Sequence, residues 1–480
     1  MQSQGFPDTG GVTETGGRVE MGVTATETVE QYEPVLDATL AYARRHDYIG
    51  PDYGDGLSSQ LLQALPVENR VLNLVVQETV KRTPVDVRPL FRVECKRNYK
   101  GAALFAMANR NYQQLAAQDI ADRGVADLPF DPEGEADRLV DWLVDERITD
   151  YSGFCGGHRH PIQHLHTKGV PSDPDIVSTA YAVRAFLQAA RTDDDAEEYA
   201  ELARTAADFL VEDLNYREVE TGAKVDYHMN HPDDSYTVNA AAIGAHMLVD
   251  LYDYFGDEEY RERATKILDH IATAQTDIGG WPYRLPASAS HLSMDSHHNG
   301  FVIEAFQHYR DVLGSDRYAD TLDTALEFYR EDLFDLDGAP NFDEEHAYPR
   351  DIHASTQGIL VFTKEGELEL AERILRWVLA NLQVEGEEGR YYYRKYRHHT
   401  KRVTLMRWCQ GWMSYAMSEF LLAVSNSDTD VRTSTVVNSM DSSTTETEAE
   451  AQALAQPTTD GGRPPNDTPS DCDDETDSQS

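Results

Sequence analysis

Basic residues are scarce in this chain of 480 residues. Lys and Arg number 42 against 85 Asp and Glu, which gives a formal net charge of -43 at pH 7. Such a surface repels phosphate, so we expect no binding to nucleic acid. Because the acidic residues are spread along every predicted helix, we interpret the charge as a solvation adaptation to high salt. A binding surface for a basic partner is the alternative.

Cysteines are equally few. Cys95, Cys155, Cys409 and Cys472 lie far apart and form no CxxC pair. This spacing predicts neither a disulfide framework nor a zinc site, and it is typical of a reducing compartment. The N-terminal residues lack a basic segment followed by an apolar one, and no apolar run approaches the roughly 18 residues that a membrane span needs. We therefore expect a cytoplasmic protein that is not membrane-spanning.

The chain is rich in paired helical segments. Helices are predicted to start near Ser178, Thr237, Ser296, Ile352 and Arg407, at intervals of about 55 to 60 residues. Small residues follow each start, and each return helix follows an acidic or Gly-containing turn. With a further pair over residues 99–145, the chain supplies about six helical hairpins, and the one short strand pattern is at 389–396.

Six such hairpins predict an all-α protein, an (α/α)6 toroid with two concentric layers of helices, and an open solenoid is the alternative. We predict the toroid over residues 31–425. Residues 1–30 and the acidic, Ser/Thr-rich tail at 426–480 are expected to be disordered, because they contain too few apolar residues for a core.

In a closed toroid, the starts of the inner helices would line a cleft at one end, where helix N-termini favour anionic groups. Two polar clusters fall at this edge, Asp295-Ser-His-His-Asn and Asp351-Ile-His. Carboxylates and imidazoles at such positions can act as general acid and base. The predicted catalytic residues are Asp295, Asp351, His297, His298 and His353.

A basic aromatic run from Arg390 leads to Arg407 and Trp408 at the same edge. Aromatic rings such as Trp281, Tyr393 and Trp408 stack on sugar faces, and we expect Arg394, Lys395 and Arg407 to clamp a substrate carboxylate or phosphate. The remaining predicted substrate contacts are Tyr236, Asn239 and Tyr283.

Each of these patterns also has a purely structural interpretation. Asp295 and Asp351 precede helices and could be N-caps only. His297 and His298 are adjacent, so one of them is expected to pack, and the run at 391–393 could be a strand. His246 lies on an apolar helix face, as a core histidine would. His158 and His160 have no partner at metal-binding spacing, so we predict no metal site and no cofactor.

Five motifs together resemble the AglQ-type proteins of haloarchaeal protein-glycosylation gene clusters, and the likeness extends over residues 32–424. They are Tyr151-Ser-Gly-Phe-Cys-Gly-Gly, Asn239-Ala-Ala-Ala, Gly279-Gly-Trp-Pro-Tyr, Asp295-Ser-His-His-Asn-Gly-Phe-Val-Ile-Glu and Met406-Arg-Trp-Cys-Gln-Gly-Trp-Met. Loops of the Gly-Gly-Trp-Pro-Tyr type recur across (α/α)6 proteins, including unsaturated glucuronyl hydrolases, N-acylglucosamine 2-epimerases and polysaccharide lyases.

The resemblance implies a role in assembling the N-linked glycan of surface-layer glycoproteins, together with other glycosylation-pathway enzymes. It implies an isomerase or epimerase that makes or modifies a hexuronic acid, on a sugar that is nucleotide- or lipid-linked. In the hydrolases two aspartates hydrate a sugar double bond, and Asp295 and Asp351 look comparable. In the 2-epimerases two histidines exchange a proton, and His297 or His298 with His353 is similar. A glycoside hydrolase and a non-catalytic glycan-binding protein are the alternatives.

Overall fold

The computed structural model describes residues 25–66, 68–118, 128–163, 168–192, 196–229 and 235–427. The predicted N-terminal boundary at residue 31 lies inside the first helix, which begins at Ala25. The remainder of the segment 1–30, and the tail from residue 428 onward, lie outside the described residues. None of the helices in these ranges is long and apolar enough to cross a bilayer.

Helices dominate the described chain. The main ones are α1 (Ala25–Arg45), α2 (Gln60–Gln63), α3 (Arg70–Arg82), α4 (Arg88–Phe91), α5 (Tyr99–Gln118), α6 (Pro132–Asp145), α7 (Ile176–Thr192), α8 (Glu197–Arg204), α9 (Ala206–Asp208), α10 (Val238–Phe255), α11 (Glu258–Ala272), α12 (Ser296–Leu313), α13 (Ala319–Glu331), α14 (Ile352–Lys364) and α15 (Leu368–Asn381). The last helix, α16, opens with a π-helical turn at Met406–Gly411 and continues as α-helix over residues 412–427. The predicted helix starts agree with these bounds to within about two residues, as is usual for helix ends.

Six helices form a closed inner ring, in which α5 contacts α7, α7 contacts α10, α10 contacts α12, α12 contacts α14, and α14 and α5 both contact the start of α16. The return helices α6, α8, α11, α13 and α15 each pack outside their inner partner. This is the predicted (α/α)6 toroid, and the open solenoid is ruled out because the ring closes.

The composition of the inner helices explains the two layers. All residues of α10 from Val238 to Leu251 are buried, whereas α11 buries one apolar stripe and keeps its charged face in solvent. An inner helix is covered on every side, so it needs small residues where neighbours approach. At Gly300 on α12, an added Cβ atom would lie 2.1 Å from Cγ of Gln357 on α14.

The first and last helices of the described residues complete the sixth pair. Helix α1 packs against the start of α16 and against the strand Glu387–Tyr391, and the Thr39 hydroxyl lies 3.0 Å from the Tyr391 hydroxyl. The sequence did not predict this pairing, because it joins residues more than 350 positions apart.

Short antiparallel strands connect the helices. They are β1 (Ile49–Gly50), β2 (Lys96–Arg97), β3 (Ile162–Gln163), β4 (Lys168–Gly169), β5 (Arg217–Val219), β6 (Gly222–Lys224), β7 (Tyr236–Thr237), β8 (Arg284–Leu285), β9 (Arg350–Asp351), β10 (Gln383–Val384), β11 (Glu387–Tyr391), β12 (Arg394–Lys395) and β13 (Thr400–Lys401). Strand β12 lies between β13 and β9, and this register sets Arg394 opposite Asp351. The strands therefore anchor the loops that precede inner helices.

Candidate functional site

Aspartates precede three of the inner helices and cap them. The Asp175 carboxylate accepts hydrogen bonds from the Ser178 amide (2.7 Å) and hydroxyl (2.8 Å) at the start of α7. Asp295 accepts from the His298 amide at 3.1 Å on α12, and Asp351 accepts from the His353 amide at 2.8 Å on α14. A carboxylate is a favoured cap because it also meets the positive end of the helix dipole. The capping interpretation of Asp295 and Asp351 thus describes a real contact, and the cap fixes the histidine that follows.

Asp295 holds two imidazoles as well. Nδ1 of His298 lies 2.6 Å from one carboxylate oxygen, and Nδ1 of His297 lies 3.0 Å from the other. Burial alone would raise the pKa of the Asp295 carboxyl, but His298 and His297 lower it to about 2. The carboxylate is therefore ionised at any physiological pH, and it can orient the rings and stabilise an imidazolium.

His353 completes this group from the next inner helix. Its ring lies 4.8 Å from that of His297, 4.5 Å from Trp408 and 4.7 Å from Trp412, measured between centroids. The residue is 3% exposed, and neither ring nitrogen has a hydrogen-bond partner. Burial, with Lys100 and Arg407 adding to it, lowers the pKa of His353 well below its usual range. We call Asp295, His297, His298 and His353 the histidine cluster.

Asp351, the second predicted catalytic carboxylate, has an arginine as its side-chain partner and not an imidazole. Its other oxygen accepts a hydrogen bond of 2.5 Å from Nε of Arg394. The remaining cations of the predicted clamp also contact acceptors of the protein itself. Lys395 donates to Asn381 at 2.5 Å, and Arg407 donates to Asp52 at 3.0 to 3.2 Å. Each of these three cations thus has an acceptor within the protein.

Two of the predicted sugar-stacking aromatics lie beside the cluster. Tyr393 and Trp408 are 5.9 Å apart, and the Tyr393 hydroxyl and the Trp408 indole N–H are both without a partner. The ring of Tyr283 lies 4.3 Å from that of His298. These three residues and the histidines form one continuous set of rings.

Other predicted substrate contacts lie in the packing between the layers of the toroid. Trp281 is fully buried, stacks on Phe306 and donates its indole N–H to the Ile271 carbonyl at 2.9 Å. Tyr236 packs edge-on against His270 of the outer helix α11. Asn239 is buried at the start of α10, with its side-chain oxygen unpartnered.

A cavity of about 520 Å³ opens beside the cluster. Its walls do not include His297 or His353, but they include Tyr283, whose ring touches His298. The other wall residues that matter here are His158, Asp175, Tyr227 and Arg284. Tyr283 therefore lies between the open space and the closed cluster.

Of these wall residues, the sequence predicted Tyr283 as a substrate contact but not His158, Asp175, Tyr227 or Arg284. It set His158 aside as an incomplete metal site, although its buried Nδ1 atom has no partner. Asp175 could have been found from the sequence. Asp175-Ile-Val-Ser, at the start of α7, has the same capping pattern as Asp295-Ser-His-His at the start of α12. Burial raises the pKa of the Asp175 carboxyl. Arg284 forms no ion pair with any described residue, and its buried Nε atom has no partner.

Two groups of side chains have donor atoms close enough to share one metal ion. One is Asp295 with His297 and His298. The other, below the cleft, is Asp250 with His246 and His308, whose rings stack at 4.1 Å. His246 was predicted to be a satisfied core residue, but its buried Nε2 atom has no hydrogen-bond partner.

Comparisons with known proteins identify the fold. No protein-family model matches the sequence, and no curated protein matches it either. Among solved structures, a sugar epimerase from a ruminal bacterium superposes with a TM-score of 0.52 at 15% identity, covering 70% of this chain and 90% of that one. A cellobiose 2-epimerase from Bacillus thermoamylovorans gives 0.53 at 13% identity over the same shares. An unsaturated glucuronyl hydrolase specific for heparin gives 0.53 at 11% identity, covering 84% of this chain and 98% of that one. At these identities the likeness establishes a shared (α/α)6 fold.

Proposed function

We propose that this protein is a sugar epimerase or isomerase that moves a proton at a carbon beside a carbonyl group of a hexuronic acid. The observation that carries the proposal is the histidine cluster, in which imidazoles from two neighbouring inner helices differ in their partners. His298 is bound to an ionised carboxylate, whereas both nitrogens of His353 are free of partners. Two epimerases among the structural neighbours have the same fold.

The two environments suggest different roles. His353 is held neutral by burial, which lowers its pKa, so it can accept a proton from the substrate carbon. His298 is the proposed proton donor, and the Asp295 carboxylate, 2.6 Å from its Nδ1 atom, orients the ring. In the proposed reaction His353 removes the proton, the electron pair moves towards the carbonyl oxygen, and His298 returns a proton to the carbon. Pairs of groups whose environments differ in this way are typical of acid–base sites.

A hexuronic acid needs a cation for its carboxylate. Arg284 is suited to this role, because it lines the cavity, has no acidic partner among the described residues and has an unpartnered buried Nε atom. The carboxylate would then lie in the cavity and the reacting carbon beyond Tyr283, next to His298. Arg394, Lys395 and Arg407 support the loops around the site in this proposal.

Hydrolysis is the second candidate, and Asp175 is the observation that favours it. A glycoside hydrolase needs a carboxyl group that is protonated at working pH. Asp295 does not suit that role because its pKa is lowered to about 2 by His298 and His297 against the effect of burial. Asp175 does, because burial raises its pKa and its side chain lines the cavity.

The test in vitro is solvent exchange. The protein is incubated in D2O with free, nucleotide-linked and lipid-linked hexuronates, and the sugars are analysed by mass spectrometry and NMR. Epimerisation incorporates one deuteron on carbon and changes the configuration there, and the exchange is lost in His353→Gln. Release of a free sugar from an oligosaccharide without deuteration on carbon would support hydrolysis. Binding without either change would support the non-catalytic glycan-binding alternative.

The setting that we propose is assembly of the N-linked glycan of surface-layer glycoproteins, in the cytoplasm and alongside other enzymes of that pathway. It is supported by the resemblance of the five motifs. A deletion strain tests it through mass spectrometry of the surface glycan. We expect a glycan that is truncated before a hexuronic acid, or that carries the unmodified one, restored by the wild-type gene but not by the His353→Gln variant. An unaltered glycan in the deletion strain would remove this assignment.

A further inference from the structure

Lys100, the second residue of α5, is a buried lysine beside the histidine cluster, and only 3% of its surface is exposed. Its Nζ atom lies 4.3 Å from the ring centroid of Tyr181, 4.6 Å from Trp412 and 4.8 Å from Phe301. His353 packs against two of the same rings, Trp412 at 4.7 Å and Phe301 at 5.6 Å. Lys100 and His353 thus pack against the same two aromatic rings.

The ammonium group is not paired. It forms no ion pair and no hydrogen bond with any residue in the part of the chain that the structure describes. An ammonium has three N–H donors, and the faces of three aromatic rings offset only part of its loss of hydration. A lysine in such a place is costly to the fold unless another molecule supplies an acceptor.

We propose that Lys100 is a further catalytic residue, whose ammonium group donates a hydrogen bond to the carbonyl oxygen beside the reacting carbon of the sugar. This rests on the proposed function. As His353 removes the proton, the C–H pair forms a C=C bond and the carbonyl π pair moves onto oxygen, where Lys100 stabilises the negative charge. When His298 delivers its proton to the carbon, the pair returns and the carbonyl is restored. Donors placed at a developing oxyanion give a large part of the rate of such reactions.

The charges around Lys100 are mixed. Those acting on it are Arg407 at the start of α16, Asp175 before α7, Arg184 on α7 and Glu304 on α12, with His353 facing it from α14. Burial, followed by the charge of Arg407, lowers the pKa of Lys100 well below that of an ordinary lysine. The protonated form is the active one here, so activity should fall as the pH rises through this lowered pKa.

The experiment compares Lys100→Met with the control variant Lys364→Met. Lys364 is the last residue of the inner helix α14, at the opposite end of that helix from His353. Deuterium exchange into the sugar and the midpoint of thermal unfolding are measured for both. We expect Lys100→Met to lose at least about 100-fold in exchange rate and to unfold at a higher temperature than wild type, because an unpaired buried ammonium is replaced by an apolar side chain. Lys364→Met should retain the wild-type exchange rate.

The Lys100→Arg variant distinguishes the effect of losing the positive charge from an effect on folding. It keeps a positive group that does not titrate, so we expect residual exchange whose alkaline limb is absent. Exchange in Lys100→Met equal to wild type would overturn the inference and leave the proposed function standing. If wild type incorporates no deuterium into any sugar, the proposed function fails. The midpoint of thermal unfolding of Lys100→Met then still tests whether the lysine stabilises the fold. A midpoint lowered in Lys100→Met would show a structural lysine and overturn the inference.

Discussion

Two groups in this protein contain the same three side chains, two histidines and one aspartate, yet their surroundings differ. In the first group, Asp295 with His297 and His298 of the histidine cluster, Asp295 caps a helix and contacts His298 at 2.6 Å, next to a wall of the cavity. The second group, which we call the interior group, is Asp250 with His246 and His308. Nε2 of His308 lies 2.8 Å from Asp250, and Arg184 lies 3.9 Å from the same carboxylate. Burial, followed by the charges of His308 and Arg184, lowers the pKa of His246 well below its usual range. The comparison teaches that a His–Asp contact alone does not identify a catalytic site. An unpartnered nitrogen does not identify one either, since Nε2 of His246 in the interior group also has no hydrogen-bond partner. Contact with a cavity wall, here through Tyr283, is what separates the two groups.

The largest expected effect separates the two groups by activity. We expect His353→Gln and His298→Gln to lower the exchange rate by about 10²- to 10⁴-fold, because each removes a group that transfers a proton. His308→Gln, in the interior group, should leave the rate per folded molecule unchanged and lower the free energy of unfolding. Deuterium incorporation and urea unfolding measure the two effects. Equal losses of rate in all three variants would end the distinction between the groups.

The next effect concerns the ion pair between Asp351 and Arg394. Asp351 also accepts a hydrogen bond from the backbone amide of His353 in the cluster. Because this ion pair is buried, Arg394→Met should lower the free energy of unfolding by roughly 3–5 kcal/mol, since an unpaired carboxylate is left behind. Lys395→Met, its neighbour on the same strand, removes one hydrogen bond and should cost only about 1 kcal/mol. Chemical denaturation measures both. If Arg394→Met instead raised KM at unchanged stability, Arg394 would be a substrate clamp, as the sequence predicted.

The third effect sharpens the comparison through pH. The pKa of Asp295 is lowered to about 2, from an ordinary value of 3.8, by the adjacent His298 and His297 against the effect of burial. Because the folded-state pKa is the lower one, the carboxylate stabilises the fold above about pH 4, and this contribution, ~2 kcal/mol, is lost as the pH falls towards 2. Asp295→Asn should therefore be less stable than wild type at pH 7, with a difference that shrinks below pH 4. The exposed Asp150→Asn is the control, and a constant difference across this range would contradict the assignment.

The smallest effect concerns the predicted aromatic contacts. Trp281→Phe loses the hydrogen bond to the Ile271 carbonyl and should lower the free energy of unfolding by about 1–2 kcal/mol, without changing KM. Trp408→Phe, beside His353, should raise KM while costing less stability, because its indole N–H has no partner in the fold. Steady-state kinetics with thermal unfolding distinguishes the two. A rise in KM for Trp281→Phe would show that Trp281 contacts the substrate, as the sequence predicted.

The sequence was sufficient for the fold and for the core of the cluster, but not for the whole site. Helical repeats and small residues at helix starts follow local rules, so the inner helices could be placed and Asp295, His298 and His353 expected at one edge. The partners of Asp351 and Arg407 lie on strands and loops distant in the chain. A basic residue looks available in a sequence whether or not a carboxylate such as Asp52 lies beside it in the fold. Lys100 and Arg284 were missed for the same reason, since isolation in space leaves no pattern along the chain.

The pairing of α1 with α16 also bears on how the protein is made. The ring has a seam where α1 meets α16, the first and last helices of the described residues, so the toroid cannot close until α16 has been synthesised. Contacts of such long range are slow to form. The site spans this seam, because Lys100 and His353 are both covered by Trp412. A nascent chain that stops short of α16 lacks Trp408 and Trp412, which contact His353, so activity should begin only with the completed ring.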